Sequence, residues 1–237
     1  MSILQLTPEE MAALWLSAKV AFFCTLLILI PGVLLGWVLA RKRFFGKALL
    51  DSVVHLPLVL PPVVPGFLLL LLFGSQGFLG KWLQETFGIS IAFTWMGAVV
   101  ASAIMALPLM VRSARLAVSQ VDRGLELAAQ SLGAHPVRVF FSITLPLALP
   151  GILTGMVLAF SRSLGEFGAT ITFVGNIEGE TRTLPLAIYT YTQIPGGDMP
   201  ALRLVLLSLL LAFAALYFSN VMEQRALRRI GSGDDRA

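Results

Sequence analysis

Charge, cysteine and histidine are scarce in this sequence. Charged residues make up 13% of the 237 positions and hydrophobic residues 57%, whereas soluble domains carry about 25% charged residues. The single cysteine, Cys24, lies inside an apolar run, which excludes a disulfide framework within the chain and a cysteine-rich metal site. The composition is that of a membrane protein.

The sequence also lacks common catalytic and nucleotide-binding motifs. The two histidines, His55 and His135, have no HExxH partner, and neither a GxSxG nor a GxxxxGKS/T pattern occurs. We therefore expect no catalytic residue, no metal site and no cofactor bound by this chain, which is not an enzyme by itself. A net charge of +4 would suggest nucleic acid in a soluble protein, but membrane topology explains these basic residues better, so no nucleic-acid partner is expected.

Long apolar runs determine the predicted fold. Peptide groups in the hydrocarbon core have no water to bond, so only helices and closed barrels span membranes, and unbroken apolar runs indicate helices. The sequence thus predicts an all-α polytopic membrane protein with five to six transmembrane helices. A span needs about 20 apolar residues, and five segments are predicted to cross: 14–40, 53–73, 94–111, 139–161 and 204–222.

The segment 164–194 leaves the count open between five and six spans. Its two apolar pieces, separated by an acidic turn at Glu178 and Glu180, are each too short to cross alone. We interpret them as a broken or re-entrant segment followed by a short amphipathic helix on the outer face. Five spans are preferred because that number places the basic clusters on one side.

Three clusters hold twelve of the 17 Lys and Arg residues. They are Arg41, Lys42, Arg43 and Lys47; Arg112, Arg115, Arg123 and Arg138; and Arg225, Arg228, Arg229 and Arg236. By the positive-inside rule, their side is the cytoplasm. The N-terminus is then predicted outside and the C-terminus inside, in a multi-pass protein of the bacterial inner membrane.

The segment 121–150 between the third and fourth spans reads as a helix, a stop and a second helix. An apolar face precedes Gly133, which suits the left-handed residue after a helix end, and Pro136 suits the first turn of the next helix. The face consists of Leu125, Ala128, Ala129 and Leu132. Such a helix, with Arg123 or Arg138 at its rim, is suited to docking in a groove of a partner.

The same segment resembles the EAA loop of ABC importer permeases, whose pattern is EAAxxxG, nine residues and IxLP. The matching positions are Ala128, Ala129, Gly133, Ile143, Leu145 and Pro146. Leu127 stands where the pattern has Glu, and the acid is Glu126, one residue earlier. The resemblance implies a coupling loop, about residues 112–146, that contacts a separate ATPase subunit carrying ATP and Mg. A cytoplasmic helical hairpin without a partner is the alternative.

Two further stretches, 49–74 and 158–189, are similar to molybdate permeases of the ModB type, and the SLGEFGA core is also close to sulfate permeases. The resemblance implies a type I ABC importer permease fold, with residues 1–237 forming a single transmembrane permease domain. It further implies a homodimer with two ATPase copies and an external substrate-binding protein. Molybdate, tungstate and sulfate share shape and charge, so they stay open as substrates. A stand-alone secondary transporter is the rival class, although no convincing repeat is found.

Ionisable and hydroxyl side chains near the end of the fourth span are candidates for the translocation path. Arg162 and Glu166 are spaced i,i+4, and Ser161 and Ser163 flank the arginine with hydroxyl donors. Ionisable residues at membrane depth indicate a functional site by default. Mutual neutralisation that only fastens a helix end is an equally weighted alternative.

Prolines interrupt the second predicted span at Pro57, Pro61, Pro62 and Pro65. Inside a helix each removes a backbone hydrogen bond and clashes with the preceding turn, so we expect a bend or local unwinding. Pro61 and Pro62 are candidate gate residues, with static packing as the alternative. His55 is interpreted as an interfacial or packing residue rather than a ligand.

Overall fold

The computed structural model describes residues 6–231, with only the backbone described at 218–220 and 222–231. Within these residues, the regular secondary structure is helical. The helices are α1 (Pro8–Arg41), α2 (Lys47–Val59), α3 (Val63–Phe73), α4 (Phe78–Phe87), α5 (Trp95–Gln120), α6 (Arg123–Ser131), α7 (Pro136–Val139), α8 (Leu145–Leu164), α9 (Gly168–Val174), α10 (Leu184–Thr192) and α11 (Asp198–Gly231). A π-helical turn, Phe140–Thr144, joins α7 to α8. The predicted all-α class is confirmed.

Four helices are long and apolar enough to cross a membrane: α1, α5, the continuous segment from α7 through α8, and α11. A fifth crossing results if α2 and α3, which meet at 109°, count as one bent span. When the bent pair is counted as one span, the number of candidate spans is five, which is the lower of the two predicted numbers. The residues that the structure describes hold no sixth candidate.

The bend lies where the prolines predict it. Leu60 is extended, with φ −69° and ψ 145°, because the ring of the following Pro61 disfavours helical geometry in the residue before it. Pro62 then precedes the first residue of α3 and has no N–H that would need a partner there. Pro57 lies inside α2 and does not interrupt it. The helix breaks only at the adjacent prolines Pro61 and Pro62.

The segment after α8 is broken, as its composition predicts. Helices α9 and α10 contain 7 and 9 residues, too few to cross a bilayer. Helix α10 packs Leu184 and Ala187 against Ala13 of α1 and Leu204 of α11, also buries Leu186, and exposes Tyr189. It is therefore a short helix with one buried face that covers one end of the molecule.

The core is formed where α1 and α5 run in parallel with small residues between them. A Cβ atom on Gly32 would lie 2.5 Å from the Met110 side chain, and one on Gly36 would lie 2.8 Å from the backbone nitrogen of Arg115. Such close backbone approach is typical of membrane helices, whose association depends on packing. Helix α8 runs in the opposite direction along α5, with Gly151 against Ala117.

The parallel direction of α1, α5 and α11 brings basic residues to one end of the molecule. An Arg41 guanidinium nitrogen donates to the Val121 carbonyl at 2.8 Å, which places the ends of α1 and α5 side by side. At the opposite end Arg203 of α11 pairs with the buried Glu10 of α1 at 2.8 Å. Of the third basic cluster, Arg236 lies outside the described residues, and the side chains of Arg225, Arg228 and Arg229 are not described.

Candidate functional site

The predicted stop after α6 has the geometry that the sequence indicates. Asp122 caps the helix by accepting a hydrogen bond from the Gly124 N–H at 2.8 Å. Gly133 has a φ of +88°, and the Ala134 N–H reaches back to the Ala129 carbonyl at 3.0 Å, which satisfies a carbonyl at the helix end. Pro136 opens α7. The helix, stop and helix pattern is confirmed.

Helix α6 exposes its apolar side chains instead of burying them. None of its residues is buried. Leu127 is 63% exposed and Leu132 90% exposed. Ala128 is exposed and Ala129 is half-buried. Large exposed apolar groups at the end of a helix that projects from the helix bundle indicate an interaction surface.

The second half of the candidate coupling loop leads directly into the membrane-spanning part of α8. Ile143 lies in the π-helical turn, Leu145 begins α8 and Pro146 follows in its first turn. Ile143 and Leu145 are half-buried and Pro146 is exposed. A proline clashes with the carbonyl four residues earlier, here that of Ser142, which lies inside the widened turn. Helix α6 is therefore connected to α8 through one short corner formed by α7 and the π-helical turn.

Glu126 joins α6 to two other elements. Its carboxylate oxygens lie 3.0 Å and 3.1 Å from guanidinium nitrogens of Arg41 on α1, and one oxygen accepts the Thr144 hydroxyl at 2.6 Å. The two charged side chains are only 10% and 12% exposed. The sequence assigns Glu126 no role because it stands one position before the expected Glu, and no local signal links it to a residue 85 positions away.

Arg162 and Glu166 form the ion pair that their spacing predicts. The guanidinium lies 2.7 Å from the carboxylate, whose side chain is 1% exposed while that of Arg162 is 28% exposed. The other carboxylate oxygen accepts the Ala169 N–H at 2.8 Å and so caps α9. Ser163 is buried and Ser161 half-buried beside the pair. The pair thus fastens a helix end and also leaves Arg162 partly accessible.

The bend between α2 and α3 lies against this ion-pair turn. A Cβ atom on Gly168 would lie 2.6 Å from that of Pro62, and one on Gly66 would lie 2.6 Å from the Ala169 carbonyl oxygen. Pro61 and Pro62 are exposed on their other side. The two sets of candidate path residues, more than 90 positions apart in the sequence, therefore form one contiguous region.

A third charged cluster, between α2 and α5, was not predicted. Arg115 donates to the Asp51 carboxylate at 2.8 Å. His55, interpreted from the sequence as a packing residue, has its Nδ1 atom 3.2 Å from the same carboxylate and 2.8 Å from the Asp51 carbonyl oxygen. The i,i+4 spacing of Asp51 and His55 is the only sequence signal for this contact.

The described part of the chain contains no candidate metal centre. No group of three or more His, Cys, Asp and Glu side chains converges there in an arrangement that could hold a metal ion. The candidate site is composed of ion pairs, hydroxyls, helix ends and the exposed helix α6.

A known protein family matches most of this chain. The model of a family described as "binding-protein-dependent transport system inner membrane component" matches residues 32–228. The chain belongs to this family. It is thus a permease subunit of the ABC importer class and a multi-pass inner-membrane protein.

Several curated relatives are similar to the permease over nearly its whole length. A molybdenum transport system permease protein of Escherichia coli K12 is 56% identical over 226 residues, covering 95% of this chain and 99% of the relative. One of Haemophilus influenzae is 52% identical over 225 residues, with 95% and 98% covered. A sulfate transport system permease protein of Escherichia coli K12 is 37% identical over 224 residues, with 94% and 80% covered.

Solved structures confirm the predicted type I importer permease fold. A bacterial ABC transporter that imports the polysaccharide alginate superposes with a TM-score of 0.74 at 17% identity, over 93% of this chain and 80% of that chain. The MetNI methionine ABC transporter, in an inward-facing conformation, superposes with a TM-score of 0.68 at 18% identity, over 93% and 99%. At these identities the likeness concerns the fold alone.

Proposed function

We propose that the permease carries molybdate across the inner membrane. The observation that supports this substrate is the 52% to 56% identity, over 95% of the chain, to permeases named for molybdenum transport, against 37% to a sulfate permease. Tungstate and sulfate are tetrahedral dianions like molybdate and remain the alternative substrates. Residues 1–237 act as one transmembrane domain.

The orientation follows from the end that carries the basic residues. With α2 and α3 counted as one crossing, the clusters after α1 and α5 lie at the same end, and the positive-inside rule makes that end cytoplasmic. The N-terminus is then outside and the C-terminus in the cytoplasm. Helix α10 and the turn with Glu178 and Glu180 lie at the outer end, where an external substrate-binding protein would deliver the anion.

The energy for transport comes from a separate ATPase that binds ATP and Mg. The exposed Leu127 on α6 and Leu132 at its end support docking of this helix in a groove of the ATPase. The positions that match the family pattern of the coupling loop lie on this helix and after it. They are Ala128, Ala129, Gly133, Ile143, Leu145 and Pro146. Two permease copies, each docked on one ATPase, would form the translocation path between them.

The gate of this path is assigned to the region where the α2–α3 bend meets the ion-pair turn. It comprises Pro61, Pro62, Ser161, Arg162, Ser163 and Glu166. The partial exposure of Arg162 supports a contact with the passing anion, while Glu166 holds its guanidinium in place. Freed carbonyls at the bend are tolerated at membrane depth only against protein or a water-filled cavity.

Replacement of Gly133 by valine tests the coupling role. The permease, its ATPase and its binding protein are reconstituted in vesicles, and molybdate uptake and ATP hydrolysis are measured together. A side chain at the φ of +88° costs about 1–2 kcal/mol, so Gly133→Val is expected to displace α6 and lower uptake per ATP by roughly tenfold. Membrane insertion should be unchanged.

Gly88→Val is the matched control. Gly88 has a φ of +67° and open space around it, so the same strain is placed in the turn after α4, away from the coupling loop. Coupling should be retained in that variant. Normal coupled uptake by Gly133→Val would refute the coupling assignment, and uptake without any ATPase would favour the stand-alone secondary transporter. Competition with tungstate and sulfate ranks the three anions.

A further inference from the structure

A basic groove runs between α2 and α5, toward the end that carries the basic clusters. Two adjoining cavities form it, of about 320 Å³ and about 520 Å³, and Arg112 and Arg115 line both. We define the basic groove by its polar lining residues: Lys47, Asp51, Ser52, His55, Arg112, Arg115 and Ser119.

The groove holds more positive than negative charge. Arg115 is paired with Asp51 at 2.8 Å, so these two charges cancel. Lys47 bonds only to a backbone carbonyl, that of Lys42, at 3.3 Å. Arg112 is exposed, and no carboxylate in the described part of the chain pairs with it. Two cationic side chains therefore remain without a counter-charge, which matches the charge of a dianion.

The position of Arg112 shows where the basic groove lies along α5. This residue lies eight residues before the end of α5 at Gln120, or about 12 Å along the helix. It is one residue before Ser113, which packs against Gly155 of α8. Arg112 directly follows the predicted span 94–111, so it lies at the inner end of this crossing, where an exposed arginine can face water or an anion. Arg162 lies two helical turns beyond Gly155, so the groove is separate from the gate.

We infer that the basic groove holds the tetrahedral oxyanion after it passes the gate and before it leaves into the cytoplasm. Arg112 and Lys47 supply the charge, and Ser52 and Ser119 supply hydroxyl donors. Because Asp51 neutralises Arg115, only Arg112 and Lys47 attract the anion in this groove, which suits a site that must release its cargo. This inference rests on the proposed function and adds a second substrate contact to it. The phosphate of a lipid headgroup shares this chemistry, and the experiment separates the two.

The first arm measures transport by the full complex in vesicles. Loss of a charge-assisted hydrogen bond weakens binding by roughly tenfold, so Arg112→Gln is expected to lower molybdate uptake per ATP by about that factor. Arg43→Gln is the matched control. Arg43 is exposed at the same end and does not line the groove, so its uptake should equal that of the wild type.

The second arm detects the anion without transport. Cys24 is the only cysteine, so Cys24→Ala gives a background in which Ser52→Cys is the single thiol. Millimolar molybdate is expected to slow its labelling by a membrane-impermeant maleimide several-fold. The protection should disappear when Arg112→Gln is added. Ser131→Cys on α6, exposed outside the groove, should be labelled at the same rate with and without molybdate.

Each negative result identifies what has failed. Wild-type uptake per ATP in Arg112→Gln, or no protection of Ser52→Cys, would overturn the groove site while leaving the permease function intact. An Arg112→Gln effect seen only in vesicles with anionic lipid, without protection by molybdate, would assign the groove to a lipid phosphate. Failure of the wild-type complex to import molybdate would instead refute the proposed substrate, and labelling with sulfate or tungstate would still test the groove.

Discussion

At the scale of single residues, the carboxylate of Glu126 holds α6 in position. It contacts Arg41 on α1 and Thr144 at the start of the α8 segment, and its side chain is 12% exposed. A charge with so little solvent contact is stable only with partners close by. Helix α6 is therefore tied to two membrane-spanning segments, although its other residues, apart from the half-buried Ala129, are exposed.

Removal of this carboxylate should destabilise the permease. Glu126→Ala leaves the Arg41 guanidinium partly buried without its counter-charge, and we expect a loss of about 2–3 kcal/mol in the free energy of unfolding. The measurement is the midpoint of thermal unfolding of the purified permease in detergent, together with the rate of proteolysis at α6.

Glu178→Ala is the control for the Glu126→Ala variant. Glu178 also pairs with an arginine, Arg182, at 3.0 Å, but its side chain is 56% exposed. Exposed pairs contribute at most about 1 kcal/mol, so the midpoint should move little. Equal losses in the two variants would show that the contacts of Glu126 are no stronger than a surface pair.

At the scale of secondary-structure elements, the contact between α3 and α9 holds two short helices together. Gly66 of α3 faces the backbone of Ala169 in α9, and Gly168 faces Pro62 at the bend. The absence of side chains on both glycines lets the two short helices approach closely. Because α9 contains only 7 residues, its position depends on such contacts rather than on its own helical stability.

Gly66→Ala should separate these two helices. The added methyl group would lie 2.6 Å from a backbone oxygen, which only a shift of the helix relieves, at an expected cost of about 1–3 kcal/mol. Gly165→Ala is the control, because the nearest contact of its added methyl group would be 4.0 Å away and its φ is negative. Lower thermal stability of Gly66→Ala alone confirms the close packing, and unchanged stability would contradict it.

At the scale of the whole molecule, the parallel direction of α1 and α5 requires the chain to return between them. The bent pair of α2 and α3 begins that return beside Arg115 and ends near α9, where Phe73 contacts Phe173. Phe173 also lies near Gly97 at the first turn of α5. The bent pair thus connects the two ends of the helix bundle even though neither helix crosses alone.

Single cysteines in the Cys24→Ala background test this path. Ser75, in the turn after α3, and Ser131, on α6, are both exposed. A membrane-impermeant maleimide added outside intact cells should label Ser75→Cys and not Ser131→Cys, whereas inverted membranes should give the reverse. Labelling of both residues from the same side would mean that α2 and α3 re-enter instead of crossing, and the proposed topology would be wrong.

Local chemistry made much of the fold predictable. The apolar runs predicted the spans, the missing N–H groups of Pro61 and Pro62 predicted the bend, and Gly133 predicted the end of α6 because few other residues accept a φ of +88°. The i,i+4 spacing of Arg162 and Glu166 made their ion pair one of two expected roles, and the structure forms it although α8 ends at Leu164 and Glu166 lies in the turn beyond.

The sequence by itself therefore determined the class, the spans and the short-range contacts, each of which depends on neighbouring residues. Only the tertiary structure decided that Glu126 meets Arg41, that Asp51 meets Arg115, and that the α2–α3 bend lies on the ion-pair turn at Gly168. These contacts join residues 64 or more positions apart, because helix packing depends on how the faces of different helices fit together. The local spacing of residues in the sequence does not show how these helix faces fit together.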